Sequence, residues 1–178
     1  MKTWTLVALL LLVPPVFLRA DETLVARFDG GIGVDPVSGL SSGAPVPNVV
    51  RGVAPGGIVW HIGEFHARVD HTGHIFIMGR RLVLAGGDNM GQSLGLSVQG
   101  QLFCGASSKT PLTTTTTTLS ADGNFQFDER LSAAPPDPCV DAVLLIVIPG
   151  SSPRWLAAGV PNSDLTVHNT RHSRWQPR

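Results

Sequence analysis

Glu64-Phe65-His66-Ala67-Arg68-Val69-Asp70-His71-Thr72-Gly73-His74-Ile75-Phe76-Ile77-Met78-Gly79-Arg80 is the stretch that decides how this chain folds. Phe65, Ala67 and Val69 alternate with Glu64, His66, Arg68 and Asp70, which is the period of a strand with one face buried. Asp70 to His74 suits a three-residue hairpin loop, with Gly73 taking the left-handed position of a bulge. The returning strand, His74 to Ala85, then sets Asp70 opposite His74, Ala67 opposite Ile77 and Glu64 opposite Arg80. This register gathers Phe65, Ala67, Val69, Ile75 and Ile77 on one face. A slip of one residue would scatter them, so the apolar pattern selects the register.

Outward from this hairpin the chain keeps reading as strands and turns. Thr23 to Phe28 is a short strand, and Asp29 to Asn48, rich in Gly, Pro and Ser, reads as a long surface loop. Val49-Val50 begins another strand, and Arg51 to Gly57 forms a compact turn. Leu94, Leu96, Val98, Leu102 and Cys104 alternate with Ser93, Ser97, Gln99 and Gln101. The run Thr113 to Thr118 reads as a β-branched strand rather than a mucin-like stalk. Ala121-Asp122-Gly123 is expected to fold it back on Asn124 to Leu131, with Leu119 beside Phe125 and Thr117 beside Phe127. A proline-rich connection, 133–138, delivers Cys139. Val140 to Ile148 is the most apolar strand, and Arg154 to Val160 follows another turn. The expected fold is therefore all-β, an antiparallel β-sandwich, with a barrel as the other closed arrangement. No Trp lies between Cys104 and Cys139, so "immunoglobulin-like" describes the architecture only and the topology stays open.

The chain has 178 residues, enough for one well-buried domain, and a formal net charge of zero. That balance supplies no field to draw it to nucleic acid or anionic lipid. Lys2, the apolar run Leu6 to Val13, and Ala20 before Asp21-Glu22 mark residues 1–20 as a secretory signal peptide. Leu18 is large for its place before the cut, which keeps an uncleaved anchor as the alternative. Residues 21–161 form a single domain and 162–178 a mobile polar tail. The expected location is secreted, extracellular. Cys104 and Cys139 are the only cysteines. In an exported chain an even pair favours a disulfide over a metal site, two separate buried thiols being the alternative.

Three stretches together carry a family resemblance: Val50-Arg51-Gly52-Val53-Ala54-Pro55-Gly56-Gly57 with Trp60, Leu102-Phe103-Cys104, and Pro138-Cys139-Val140 with the apolar strand and Trp155-Leu156-Ala157. Across roughly residues 49 to 160 the chain resembles a group of small exported bacterial β-rich proteins of uncharacterised function. The resemblance implies export and the Cys104–Cys139 pairing, and it carries no active site.

Two patterns hint at chemistry. Gly39-Leu40-Ser41-Ser42-Gly43 matches the G-x-S-x-G of serine hydrolases, which needs a strained strand-to-helix turn. No helical pattern follows it, so chance composition is the better reading. His61, His66, His71 and His74 crowd one segment with Glu64 and Asp70, but strand geometry points His61 and His66 to opposite faces, as it does His66 and His71. Neither a catalytic residue nor a metal ligand is assigned, and no cofactor is expected. The candidate binding surface is Trp60, His66, Arg68, His71 and His74, with Phe76 and Met78 beside them. The chain is expected to be an exported structural or interaction module without catalysis. Its partner would be an extracellular protein or cell-surface component, with no nucleic acid and no membrane after signal cleavage. The alternatives are a secreted enzyme using the His61–His74 segment and a small-ligand carrier with an internal apolar cavity.

Overall fold

The computed structural model describes residues 23–163, and every regular element among them is a strand. In chain order these are β1 (Leu24–Gly33), β2 (Val37–Ser41), β3 (Ala44–Pro47), β4 (Ala54–Pro55), β5 (Trp60–His61), β6 (Glu64–Asp70) and β7 (His74–Arg80). There follow β8 (Val83–Leu84), β9 (Ser97–Phe103), β10 (Leu112–Thr118), β11 (Phe125–Arg130), β12 (Val143–Ile148) and β13 (Arg154–Pro161). The principal sheet runs β10-β9-β12-β13-β1-β6-β7-β11, antiparallel throughout, with β4 added parallel to β13. The fold is all-β and antiparallel, with one disulfide. The sandwich expected from the sequence takes the form of one continuous sheet curled into a nearly closed barrel. Its strand order does not establish the immunoglobulin-like arrangement.

The β6–β7 hairpin has the register that its apolar pattern selects, with Ala67 opposite Ile77 and Glu64 opposite Arg80. Gly73 has a φ of 84°, the left-handed conformation the loop requires. Inside the barrel, large rings lie on strands that lack a side chain. The Phe125 ring covers Gly79 directly across the β7–β11 ladder, where an added methyl would fall within the ring. Phe65 and Phe28 press in the same way on Gly159, and Phe65 also presses on Gly31. Gly100 faces inward too, against Ile77 from the far wall. The interior that a small-ligand carrier would use is filled by the rings of Phe28, Phe65, Phe125 and Phe127.

The curled sheet leaves β10 and β11 alongside each other, and side chains close the seam. Thr115 donates its backbone N–H and its hydroxyl to the Glu129 carboxylate, each at 2.9 Å. Thr113 N–H donates to Ser132 Oγ at 3.0 Å, and Ser132 N–H returns to the Thr113 carbonyl at 2.9 Å. This corrects the expected hairpin of Leu119 on Phe125 and Thr117 on Phe127. Instead Thr117 pairs with Val98 of β9, and Phe127 pairs with Ile77 of β7. A threonine run fits beside almost any strand, so its sequence does not choose the partner. Phe125 does choose, because Gly79 leaves room for its ring.

Strand β12 is buried on both faces: Leu144, Leu145, Ile146 and Val147 are all fully inside. A strap from Asn48 to Gly57 is tied to β13 and to the segment ahead of β12. Val50 and Val53 exchange hydrogen bonds of 3.0 and 2.8 Å around Arg51 and Gly52, whose φ values of 53° and 84° make a tight two-residue turn. Trp155 Nε1 donates to the Asn48 carbonyl at 2.8 Å, Gly56 N–H to the Trp155 carbonyl at 2.8 Å, and Arg51 Nη2 to the Asp141 carbonyl at 2.9 Å. The V-R-G-V-A-P-G-G segment is thus a lid over the core.

Several boundaries differ from the sequence reading: β7 ends at Arg80 rather than Ala85, and β12 begins at Val143, with Val140 exposed. Strand β1 continues past Phe28 to Gly33, and the expected loop holds the exposed β2–β3 hairpin, turned by Ser42 and Gly43 at positive φ. The alternation assigned to 93–104 starts late: Leu94 is exposed at positive φ while Ser93 is buried and donates its hydroxyl to the Ser120 carbonyl. Asn162, placed in the mobile tail, instead donates its N–H to the Arg27 carbonyl at 2.8 Å. The signal segment and tail residues 164–178 lie outside the described residues.

Cys104 and Cys139 are joined, with Cα atoms 4.9 Å apart, at a sequence separation of 35. The bond ties the end of β9 to the segment that leads into β12, its neighbour in the sheet. Such a bridge marks an oxidising compartment, extracellular or periplasmic.

Two stability measurements test this account. Gly79→Ala should destabilise the oxidised chain by ~1–3 kcal/mol in denaturant unfolding, because the methyl overpacks against Phe125. A smaller ring partner, Phe125→Leu, should recover part of that loss. Cys104→Ala/Cys139→Ala should keep the β-sheet circular dichroism at low temperature yet lose roughly 3–4 kcal/mol, the chain-entropy value for a loop of this length. Stability equal to wild type would remove the bridge's energetic role.

Candidate functional site

Alternation along β1, β6, β7 and β11 buries one set of side chains in the barrel and turns the other set outward. The ladders then align the outward set in rows. Arg27, Arg68, Phe76 and Asp128 stand directly opposite one another across the four strands, and Asp29, His66, Met78 and Gln126 form the next row. Of the candidate surface, His66, Arg68 and His74 lie on this face and His71 in the exposed β6–β7 turn. Trp60 does not belong to it. It is 95% buried in β5, beneath Gly33 and Gly56, and is a core residue. An indole flanked by Val59 and His61 reads as a surface anchor in sequence. Its pairing with Leu84 in the short β5–β8 ladder, which places it inside, is not visible there.

Asp29 organises one end of the face. Its carboxylate accepts from Asn162 Nδ2 at 2.6 Å and from Arg27 Nε at 2.9 Å, and lies 3.3 Å from His66 Nδ1. The Asn162 hydrogen bond, against partial desolvation and with help from His66 and Arg27, holds its pKa below the usual carboxylate value. At the other end His74 Nε2 sits 2.9 Å from Asp128 Oδ1, and Arg130 donates to the Thr72 carbonyl at 3.0 Å. Between these ends Arg68 lies over the Phe76 ring, 5.0 Å from its centroid. A shallow cleft of about 220 Å³ opens there, lined by Leu24, Arg27, Asp29, His66, Arg68 and Phe76.

Asp29 was missed by the sequence reading because the first strand was ended at Phe28, and Arg27, inside that strand, because the pairing of β1 with β6 was not foreseen. The alternation Arg27, Asp29 around Phe28 was the available signal. The glycines that follow masked the strand's continuation. His61 is exposed on β5, away from the ladder rows. Among the described residues no group of three His, Cys, Asp or Glu is placed to hold a metal ion. Ser41 of the G-x-S-x-G match is exposed, paired with Ala44 beside the β2–β3 turn. No strand-to-helix turn surrounds it.

Asp70 fixes the geometry of the turn. Its Oδ1 accepts from Thr72 N–H at 2.8 Å, Thr72 Oγ1 at 2.7 Å and His74 N–H at 3.0 Å. Burial opposes its ionisation, but the Thr72 hydroxyl and the two backbone donors outweigh burial and lower its pKa.

No protein-family model matches the chain, and no curated protein and no solved structure matches it either.

The turn gives a pH test. A carboxyl lowered on folding contributes stability that is complete above its unfolded value near ~4 and lost as pH falls through the folded value. Wild type should therefore exceed Asp70→Asn in stability at pH 7, with the gap closing as the pH falls below ~4. Asp70→Ala, which strands the buried donors, should cost ~1–3 kcal/mol at pH 7. A wild type minus Asp70→Asn difference that stays constant from pH 7 to 2 would show that the charge contributes nothing.

Proposed function

We propose that the chain is an exported interaction module, a disulfide-stapled β-barrel that engages its partner through the outer face of β1, β6, β7 and β11. The carrying observation is an asymmetry of the barrel wall. On β12 both faces are buried and the strap is pinned alongside β13. On the opposite wall Arg68, His66, Phe76 and Met78 stand outward, partly or fully open to solvent. An apolar ring and charged forks on one uncovered, rigid sheet are the mixture from which protein-recognition surfaces are built. The disulfide supports a location outside the cytoplasm, and the apolar leader and the resemblance of residues 49–160 to small exported proteins agree with it.

The test compares wild type with a His66→Ala/Arg68→Glu/Phe76→Ala variant, each immobilised in the oxidised form against extracellular material from the native source. All three side chains point outward, so the melting temperature should hold within a few degrees. Wild type should retain a defined partner that the variant loses at least tenfold. Equal retention by a variant that melts with wild type would rule this face out as the binding surface.

A further inference from the structure

We infer that the cleft between β1 and β6 is a site for a carboxylate carried on a compact apolar group, with Arg68 as its anchor. This rests on the reading of the outer wall as the binding face and names the chemistry that the face recognises. Arg27 and Arg68 are direct cross-strand partners. Like charges in that position repel and weaken a ladder, and an anion near the pairing relieves that repulsion. Asp29 serves Arg27, through Nε. Asp128, the carboxylate in the row of Arg68, is engaged by His74 instead. The Arg68 guanidinium makes no hydrogen bond or ion pair with any described residue. Its Cζ lies 5.0 Å from the Phe76 ring centroid, a cation–π contact that uses the ring face and leaves the guanidinium N–H groups for a ligand.

The shape and charge of the cleft narrow the ligand. A planar guanidinium fork matches a planar carboxylate in two parallel hydrogen bonds. Asp29 stands in the same cleft and would repel a second negative charge, which favours a monocarboxylate over a dianion such as phosphate. Leu24 and Phe76 supply apolar walls for the group behind the carboxylate. At about 220 Å³ the space is smaller than the ~300–1,000 Å³ of drug-sized sites, so that group is small and branched or short. A free short-chain acid and the C-terminal carboxylate of a peptide ending in Leu present the same chemistry.

Calorimetric titration of the oxidised full chain distinguishes these sources. The probes are isovalerate, acetate, isovaleramide, and one Leu-ended peptide made with a free or an amidated C-terminus. Isovalerate should bind saturably, acetate at least tenfold more weakly, and isovaleramide not at all. Binding of the free peptide alone, lost on amidation, also supports the site and assigns it to a chain terminus. Arg68→Gln should weaken whichever probe binds by at least tenfold at unchanged melting temperature, and Arg68→Lys should fall between the two. Absence of saturable binding by both the acid and the free peptide would overturn the inference, as would binding indifferent to Arg68→Gln. If the wall still captures a macromolecular partner in that event, the interaction reading survives without this site. Acid binding without any partner would leave the site and remove the module.

Discussion

A sheet curled until its first and last strands meet has little room inside, and the fit of phenylalanine rings onto glycine backbone is the constraint from which the rest follows. Phe125 on Gly79, and Phe65 on Gly159 and Gly31, let opposite walls approach without a void. Each ring fills space that two ordinary side chains would contest. Interiors close-packed in this way tolerate little change in volume. The same packing fixes which strand lies beside β7. Phe125 and Phe127 enter the barrel only if β11 pairs with β7, and that choice carries β10 to the opposite edge of the sheet.

The two edges then face each other without forming a ladder. Backbone donors of β10 along this solvent-facing seam have no strand partner on the β11 side. Glu129 and Ser132 take those donors, so side chains do the work of a missing strand-to-strand ladder. The strap lies along β13, paired to it through β4. Its anchor points are mostly backbone carbonyls, those of Asn48, Asp141 and Pro55, reached by Trp155, Arg51 and Arg154. Packing, seam and strap are consequences of one closure.

Local pattern was legible in the sequence wherever a single strand or its nearest hairpin decided the outcome. The β6–β7 register, the doubly buried β12 and the Cys104–Cys139 bond were all readable from alternation, apolar run and cysteine parity. Non-local choices were not legible. Thr113 to Thr118 satisfies any neighbour, so its pairing with β9 depended on where Phe125 had to go. Trp60 looked like a surface anchor because the short β5–β8 ladder that buries it joins segments more than twenty residues apart. The site was half readable: His66, Arg68 and His74 follow from period two. Arg27 needed the knowledge that β1 pairs with β6, and Asp29 the knowledge that this strand runs past Phe28.

That long first strand also explains why the polar groups concentrate where they do. Strand β1 lies between β13 and β6, at the boundary of the covered wall and the open one. Its bulge between Leu24 and Ala26 shifts the register so that Arg27 falls opposite Arg68. Unshifted, the pairing of Leu24 with Asp70 would set Ala26 opposite Arg68 and Arg27 opposite Ala67, on the buried face. The extra residue therefore does two things at once: it keeps Phe28 inside the barrel and Arg27 and Asp29 outside it, and it brings two guanidinium groups together on the open wall. Bulges re-aim side chains in this manner at the cost of a locally broken ladder. Here the ladder regains its register immediately, from Ala26 to Asp29, so the arginine pair is held by regular sheet on its far side. A rigid backbone fixes the two Cα positions, so relief comes from the side chains, by rotation into solvent or by an anion brought close. Asp29 does this for Arg27 within the chain, whereas Arg68 has the Phe76 ring beside it and no carboxylate ion pair among the described residues.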